Sequence, residues 1–138
     1  MPAEPQTDAE RIVTSFLHSM GPTWEEFLEG YDRWLTDDAL WENTGFPAIE
    51  GKDNCIGFLH KLREVTGMDY CTIELHNISS RGDVVLTERT DRMHREDGSL
   101  IAEFAIMGAF EVSDGKVARY SDYYADSEIK SLVPALSA

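Results

Sequence analysis

Arg89 and Asp91 stand two residues apart in the stretch Val85-Leu86-Thr87-Glu88-Arg89-Thr90-Asp91-Arg92-Met93. The stretch is rich in β-formers and reads as a strand, on which residues two apart share a face. Arg89 and Asp91 therefore sit with Val85, Thr87 and Met93. That face is half apolar, and a charge turned toward a core needs a partner. A second candidate strand, Val117 to Tyr124, offers Asp122 on a face framed by Tyr120 and Tyr124. Two close carboxylates resist ionising together, so one tends to keep its proton. An arginine between them can hydrogen-bond both. The protonated acid then donates to a substrate oxygen, and the ionised one takes a proton from water. That set suits ring opening by water, with no covalent intermediate, no cofactor and no metal. On a shorter strand, the Asn43 amide could orient the water, and Trp41 shares its face. Met93, Phe104, Ile106 and Tyr124 are the expected apolar wall, which suits a small hydrophobic substrate.

These residues need elements to hold them. Thr7-Asp8-Ala9-Glu10 is a capping box, followed by Ile12, Val13, Phe16, Leu17 and Met20 at helical spacing. Gly21-Pro22 stops that helix. Thr23-Trp24-Glu25-Glu26 starts another, whose apolar face is Phe27, Leu28, Tyr31, Trp34 and Leu35. Asp37-Asp38 is expected to break it. Ala39 to Thr44 reads as a short strand, ended by Gly45-Phe46-Pro47. A third helix begins near Gly51-Lys52-Asp53. From about residue 70 the period changes from 3.6 to 2. Strands follow over Cys71 to His76, Asp83 to Arg95 and Leu100 to Val112, with Glu96-Asp97-Gly98-Ser99 as a hairpin turn; Leu100, Ala102, Phe104, Ile106, Gly108, Phe110 and Val112 are expected to form one apolar face of the last. Ser113-Asp114-Gly115-Lys116 leads into the strand of Asp122. A last short helix is expected over Ser127 to Leu136, and residues 1–6 read as a polar, flexible tail. Helices first and a meander afterwards predict one α+β domain spanning residues 1–138. Its helices would pack on one face of a curved sheet around a deep pocket.

The 138 residues suit one core, and 42% apolar content is ordinary for a globular protein. The net charge of −14 argues against nucleic acid or an anionic membrane surface as a partner. No apolar run approaches the roughly 18 residues of a membrane span. The start Met1-Pro2-Ala3-Glu4-Pro5-Gln6 lacks the basic and apolar regions of a signal peptide. Cys55 and Cys71 lack CxxC spacing and read as reduced thiols. Together these suggest a cytoplasmic protein. His18, His60, His76 and His94 are scattered without metal-ligand spacing.

Three segments carry a resemblance. Leu86-Thr87-Glu88-Arg89-Thr90-Asp91 resembles the ERxD segment of the limonene-1,2-epoxide hydrolase family. Asp122-Tyr123-Tyr124 resembles its RDYF segment. Trp41-Glu42-Asn43-Thr44-Gly45-Phe46-Pro47 is similar to its YxN segment. Order and spacing agree over roughly residues 8–126. The resemblance implies a cone-like NTF2-like fold, a homodimer, and cofactor-free hydrolysis of an epoxide to a vicinal diol. It implies Asp122 as general base, Asp91 as the acid that protonates the epoxide oxygen, Arg89 as the bridge and Asn43 as a water ligand. The chain departs from the pattern twice. The family's water-binding tyrosine falls on Trp41, whose indole can donate but not accept. The arginine before the base is Ser121 here and is expected to face away from the pocket.

Two other functions fit the same elements. One is a ketosteroid-isomerase-like or polyketide-cyclase-like enzyme that moves a proton next to a carbonyl. The other is a non-catalytic ligand-binding or dimerisation module, since one fold hosts many functions. The paired acids around one arginine favour water addition.

Overall fold

Thr7 accepts the Glu10 N–H and opens α1, Asp8–Leu17. Glu10 reaches back to the Gln6 N–H and also accepts from Ser80, tying the helix start to the sheet. Thr23 caps α2, Trp24–Trp34, in the same way through the Glu26 N–H. The chain then passes directly into β1, Leu35–Asn43, and β2, Ile49–Glu50. Next come α3, Lys52–Thr66, and four long strands: β3, Tyr70–Arg81; β4, Val84–His94; β5, Leu100–Ser113; and β6, Lys116–Tyr123. This computed structural model describes residues 3–125 and 127. Beyond its first residue, the helix expected over Ser127 to Leu136 lies outside the described residues.

The six strands form one mixed sheet in the order β2-β1-β6-β5-β4-β3, and the class is α+β. β3 to β6 are successive antiparallel neighbours, while β1 joins β6 in parallel. Register shifts interrupt four of the ladders, and such bulges bend and twist the strands that carry them. The helices cover one face. α1 lies across β3 to β6 and buries Val13, Phe16 and Leu17 there, each burial contributing about 1.5–3 kcal/mol. α3 packs on β1 and α2, burying Cys55, Leu59 and Leu62.

Three expectations needed correction. Asp37-Asp38 does not break the chain, because α2 already ends at Trp34 and both acids lie exposed in β1, where its register with β6 is irregular. Leu100 does not share the buried face of β5: it is half exposed, beside the shift in register at Met93/His94. The tail is held from Ala3, whose N–H donates to the Leu75 carbonyl.

Candidate active site

Strand alternation sorts the residues of β4. Val85, Thr87, Arg89, Asp91 and Met93 are all buried under the helices. The register then lays out rows across the sheet. One row reads Thr87, Gly108, Asp122 and Asn43 over four strands. The row beside it reads Val85, Phe110, Tyr120 and Trp41. Its rings form a continuous stack: Phe110 on Tyr120 at 5.3 Å, and Tyr120 on Trp41 at 5.4 Å with an interplanar angle of 3°. On the other side, Arg89 pairs with Ile106 and Asp91 with Phe104.

Arg89 is fully buried and touches acids on two strands. Its Nε donates to Asp91 Oδ1 at 2.9 Å and its Nη2 to Asp91 Oδ2 at 3.0 Å. Nη2 also donates to Asp122 Oδ2 at 2.7 Å, and Nη1 to Thr87 Oγ1 at 3.2 Å. To reach Asp122 the guanidinium crosses β5 diagonally over Gly108. A Cβ there would collide with Arg89 Nη1, stand 2.9 Å from Thr87 Oγ1 and 3.1 Å from Asp122 Oδ1. Gly108 is therefore part of the site. In the sequence it is only a small residue in an apolar alternation.

The electrostatics follow from burial. Desolvation works against the charge of Arg89, but Asp122 and Asp91 more than offset it and hold its proton well above the ordinary range. Burial pushes Asp122 up to about 6, and Asp91 adds to the rise. Arg89 and the neighbouring Tyr120 side chain pull it back. Its Oδ1 is buried and accepts no direct hydrogen bond. The Nε1 of Trp41 is likewise buried without a partner.

Both atoms belong to residues that line one cavity of about 90 Å³. Asn43, Asp91, Met93, Phe104, Ile106 and Tyr124 line it too, and Arg89 lies behind the two acids. Tyr31, Phe58 and Tyr120 complete its aromatic side. The Asn43 Oδ1 accepts from the Tyr124 hydroxyl at 3.3 Å, so its Nδ2 remains a donor. Its backbone is fixed beside the acid, because Thr44 donates both its N–H and its hydroxyl to the Asp122 carbonyl. Ser121 faces away from the cavity and donates to Glu42 Oε1 at 2.6 Å, which also accepts from Arg119. Among the described residues, no group of three or more His, Cys, Asp or Glu is placed to hold a metal ion. Nor is any described helix long and apolar enough to cross a membrane. Cys55 and Cys71 are both free thiols.

Sequence reading missed Gly108, Tyr120, Tyr31 and Phe58 as site residues. Tyr120 frames Asp122 in the sequence, but strand spacing alone gives it no role of its own. Gly108 could have been found from the alternation, as the one position of the β5 inner face with no side chain.

Known proteins resemble this chain in sequence and in fold. A family model described as the limonene-1,2-epoxide hydrolase catalytic domain matches residues 7–134. The chain is 34% identical over 112 residues to the epoxide hydrolase EphG of Mycobacterium tuberculosis (strain ATCC 25618 / H37Rv), covering 81% of this chain and 70% of that one. A solved LEH-like epoxide hydrolase from M. tuberculosis matches with a TM-score of 0.72 at 30% identity, over 94% of this chain and 91% of the other. A SnoaL-like polyketide cyclase from Jannaschia Sp. CCS1 gives a TM-score of 0.72 at 14% identity, over 99% of each chain, and shares the NTF2-like fold alone. The match over nearly the whole length, together with a buried acid–arginine–acid set in one cavity, places the chain: it belongs to the limonene-1,2-epoxide hydrolase family.

Proposed function

We propose that this chain hydrolyses an epoxide of a small hydrophobic molecule to a vicinal diol, using its own side chains and no cofactor. The observation that carries the reading is Arg89 bridging two buried carboxylates at the wall of an apolar cavity. The pair holds one proton between them. Asp91 donates it to the epoxide oxygen as the C–O bond breaks. Asp122 takes a proton from water through Oδ1 as the water oxygen forms its bond to the ring carbon. Asn43 and Trp41 supply donors that hold the water. Arg89 keeps both acids in place as charge moves from one to the other. The two carboxyls then regain their starting protonation by exchange with solvent. The narrow cavity and its aromatic wall favour a compact, largely apolar epoxide.

The test is a panel of small and bulky epoxides incubated in oxygen-18 water. One labelled oxygen in a vicinal diol is expected. Isomerisation of a carbonyl compound with no diol from any epoxide would favour the isomerase-like reading, and tight apolar binding without turnover the binding module.

We also propose a homodimer formed through the outer face of the sheet. Leu86, Met107 and Tyr123 are exposed there by 51%, 54% and 55%; Met107 and Tyr123 are register partners on β5 and β6, and Leu86 on β4 lies diagonally from Met107, opposite Ala109. Light scattering is expected to give twice the chain mass at micromolar concentration.

A further inference from the structure

Trp41 leaves the site with a ring where the resemblance places a hydroxyl. Directly across the parallel ladder, its register partner on β6 is Tyr120. The two rings lie face to face, so the positions are two sides of one structural pair. Tyr120 shares its strand face with Asp122, and both line the cavity. Its ring is fixed on four sides: Trp41 and Phe110 by stacking, Phe16 and Tyr31 edge-on. A ring so held has little freedom to move its hydroxyl, which makes it a preorganised polar group.

We propose that Tyr120 supplies from β6 the hydroxyl that positions Asp122 and the attacking water, in the place that the family resemblance gives to position 41 on β1. The inference rests on the epoxide-hydrolase reading for its water and deepens it. The ionised Asp122 can only accept, so the hydroxyl donates toward it. Tyr31 extends the line: it stands edge-on to Tyr120 and lines the same cavity. Tyr120 lowers the proton affinity of Asp122 against the rise caused by burial. Trp41 is left with the task an indole can do, which is to donate its unpartnered N–H to the water oxygen. Tyrosine and tryptophan together then provide two donors around Asp122 Oδ1, one from each strand of the parallel pair. In this role Tyr120 is a positioning residue.

The experiment uses the intact chain. Tyr120→Phe removes the hydroxyl and keeps the ring in its stack. Two readouts are followed: the titration of the Asp122 carboxyl by carbon-13 NMR of labelled aspartate, and the turnover of an epoxide that the wild type opens. Asp122 is expected to titrate at higher pH in Tyr120→Phe. The kcat is expected to fall about tenfold or more, with KM little changed. Trp41→Tyr placed in the Tyr120→Phe background is expected to restore part of kcat, because the hydroxyl returns from the opposite strand. An unchanged titration with unchanged kcat overturns the proposal, as does a double variant no better than Tyr120→Phe. Should Tyr120→Phe fail to fold, Tyr31→Phe carries the test: an upward shift of Asp122 supports the line of hydroxyls, and no shift overturns it. If the wild type opens no epoxide, the epoxide reading fails on its own, and the titration still decides what Tyr120 does to Asp122.

Discussion

β4 carries two arginines that each bridge two acids, on opposite faces of one strand. Inside, Arg89 joins Asp91 and Asp122 at 2.9 and 2.7 Å. Outside, Arg92 joins Glu74 and Glu103 at 3.0 and 2.7 Å. The distances are nearly the same. The exposure is not: the Arg89 side chain is 0% exposed and that of Arg92 is 33%. Water screens the outer trio, and such surface pairs contribute little to stability. The inner trio has lost that screening, so each charge there depends on the other two, and proton affinities are displaced. Geometry alone therefore does not displace proton affinities in this way. The helices laid over one face of the sheet do.

This contrast can be broken in several places. The largest effect is expected inside. Asp122→Asn and Asp91→Asn should each lower turnover by about 100- to 10,000-fold while circular dichroism shows an intact fold. Near wild-type turnover in either variant would remove that residue from the mechanism. Arg89→Ala should come next, costing about 3–5 kcal/mol of stability by denaturant unfolding, because it strands two buried acids, and activity should go with it.

The pH profile sharpens the comparison further. Asp122 is held up to about 6, above its ordinary 3.8, so the folded pair keeps a proton over that interval that the unfolded chain would release. The stability this group contributes is therefore present at low pH and is lost as pH rises toward 6. The proposed step uses the proton that the pair shares, so its loss over this interval should make kcat/KM fall as pH rises through about 6. A profile flat from pH 5 to 8 would contradict the shared proton.

Gly108→Ala should reduce turnover by a smaller amount, since the new methyl displaces the Arg89 guanidinium from its path to Asp122. The smallest effect is expected outside. Arg92→Ala should leave the melting temperature and kcat essentially unchanged, and a large loss in either would erase the distinction between the two faces.

Much of the inner face was legible in the sequence because strand alternation is local. The sharing of a face by Arg89 and Asp91 needs only their spacing, and Asp122 follows by the same rule. Asn43 and Trp41 stand on a distant strand, where amide chemistry points to the first, strand alternation to the second, and the motif resemblance to both. What could not be read depends on neighbours brought together by the sheet. Gly108 acquires meaning only when Arg89 passes over it from β4 toward β6. Tyr120 acquires it only when the parallel ladder lays it on Trp41. The first half of β1 was hidden because Asp37 and Asp38 look like a stop, yet on an irregular, exposed stretch of strand they cost nothing. β2 has two residues, too few for any period to show.

The parallel ladder between β1 and β6 also bears on the order in which the molecule assembles. β3 to β6 can zip up as successive hairpins, each closing a short loop. Asn43 meets Asp122 only by closing a long stretch that holds β2, helix α3 and strands β3 to β5. Closing so long a loop is entropically costly and slow relative to local pairing. A refolding chain should therefore regain its sheet signal in circular dichroism before it regains any turnover. During that interval it would have Arg89 and both acids together on the meander, with neither Asn43 nor Trp41 yet beside them.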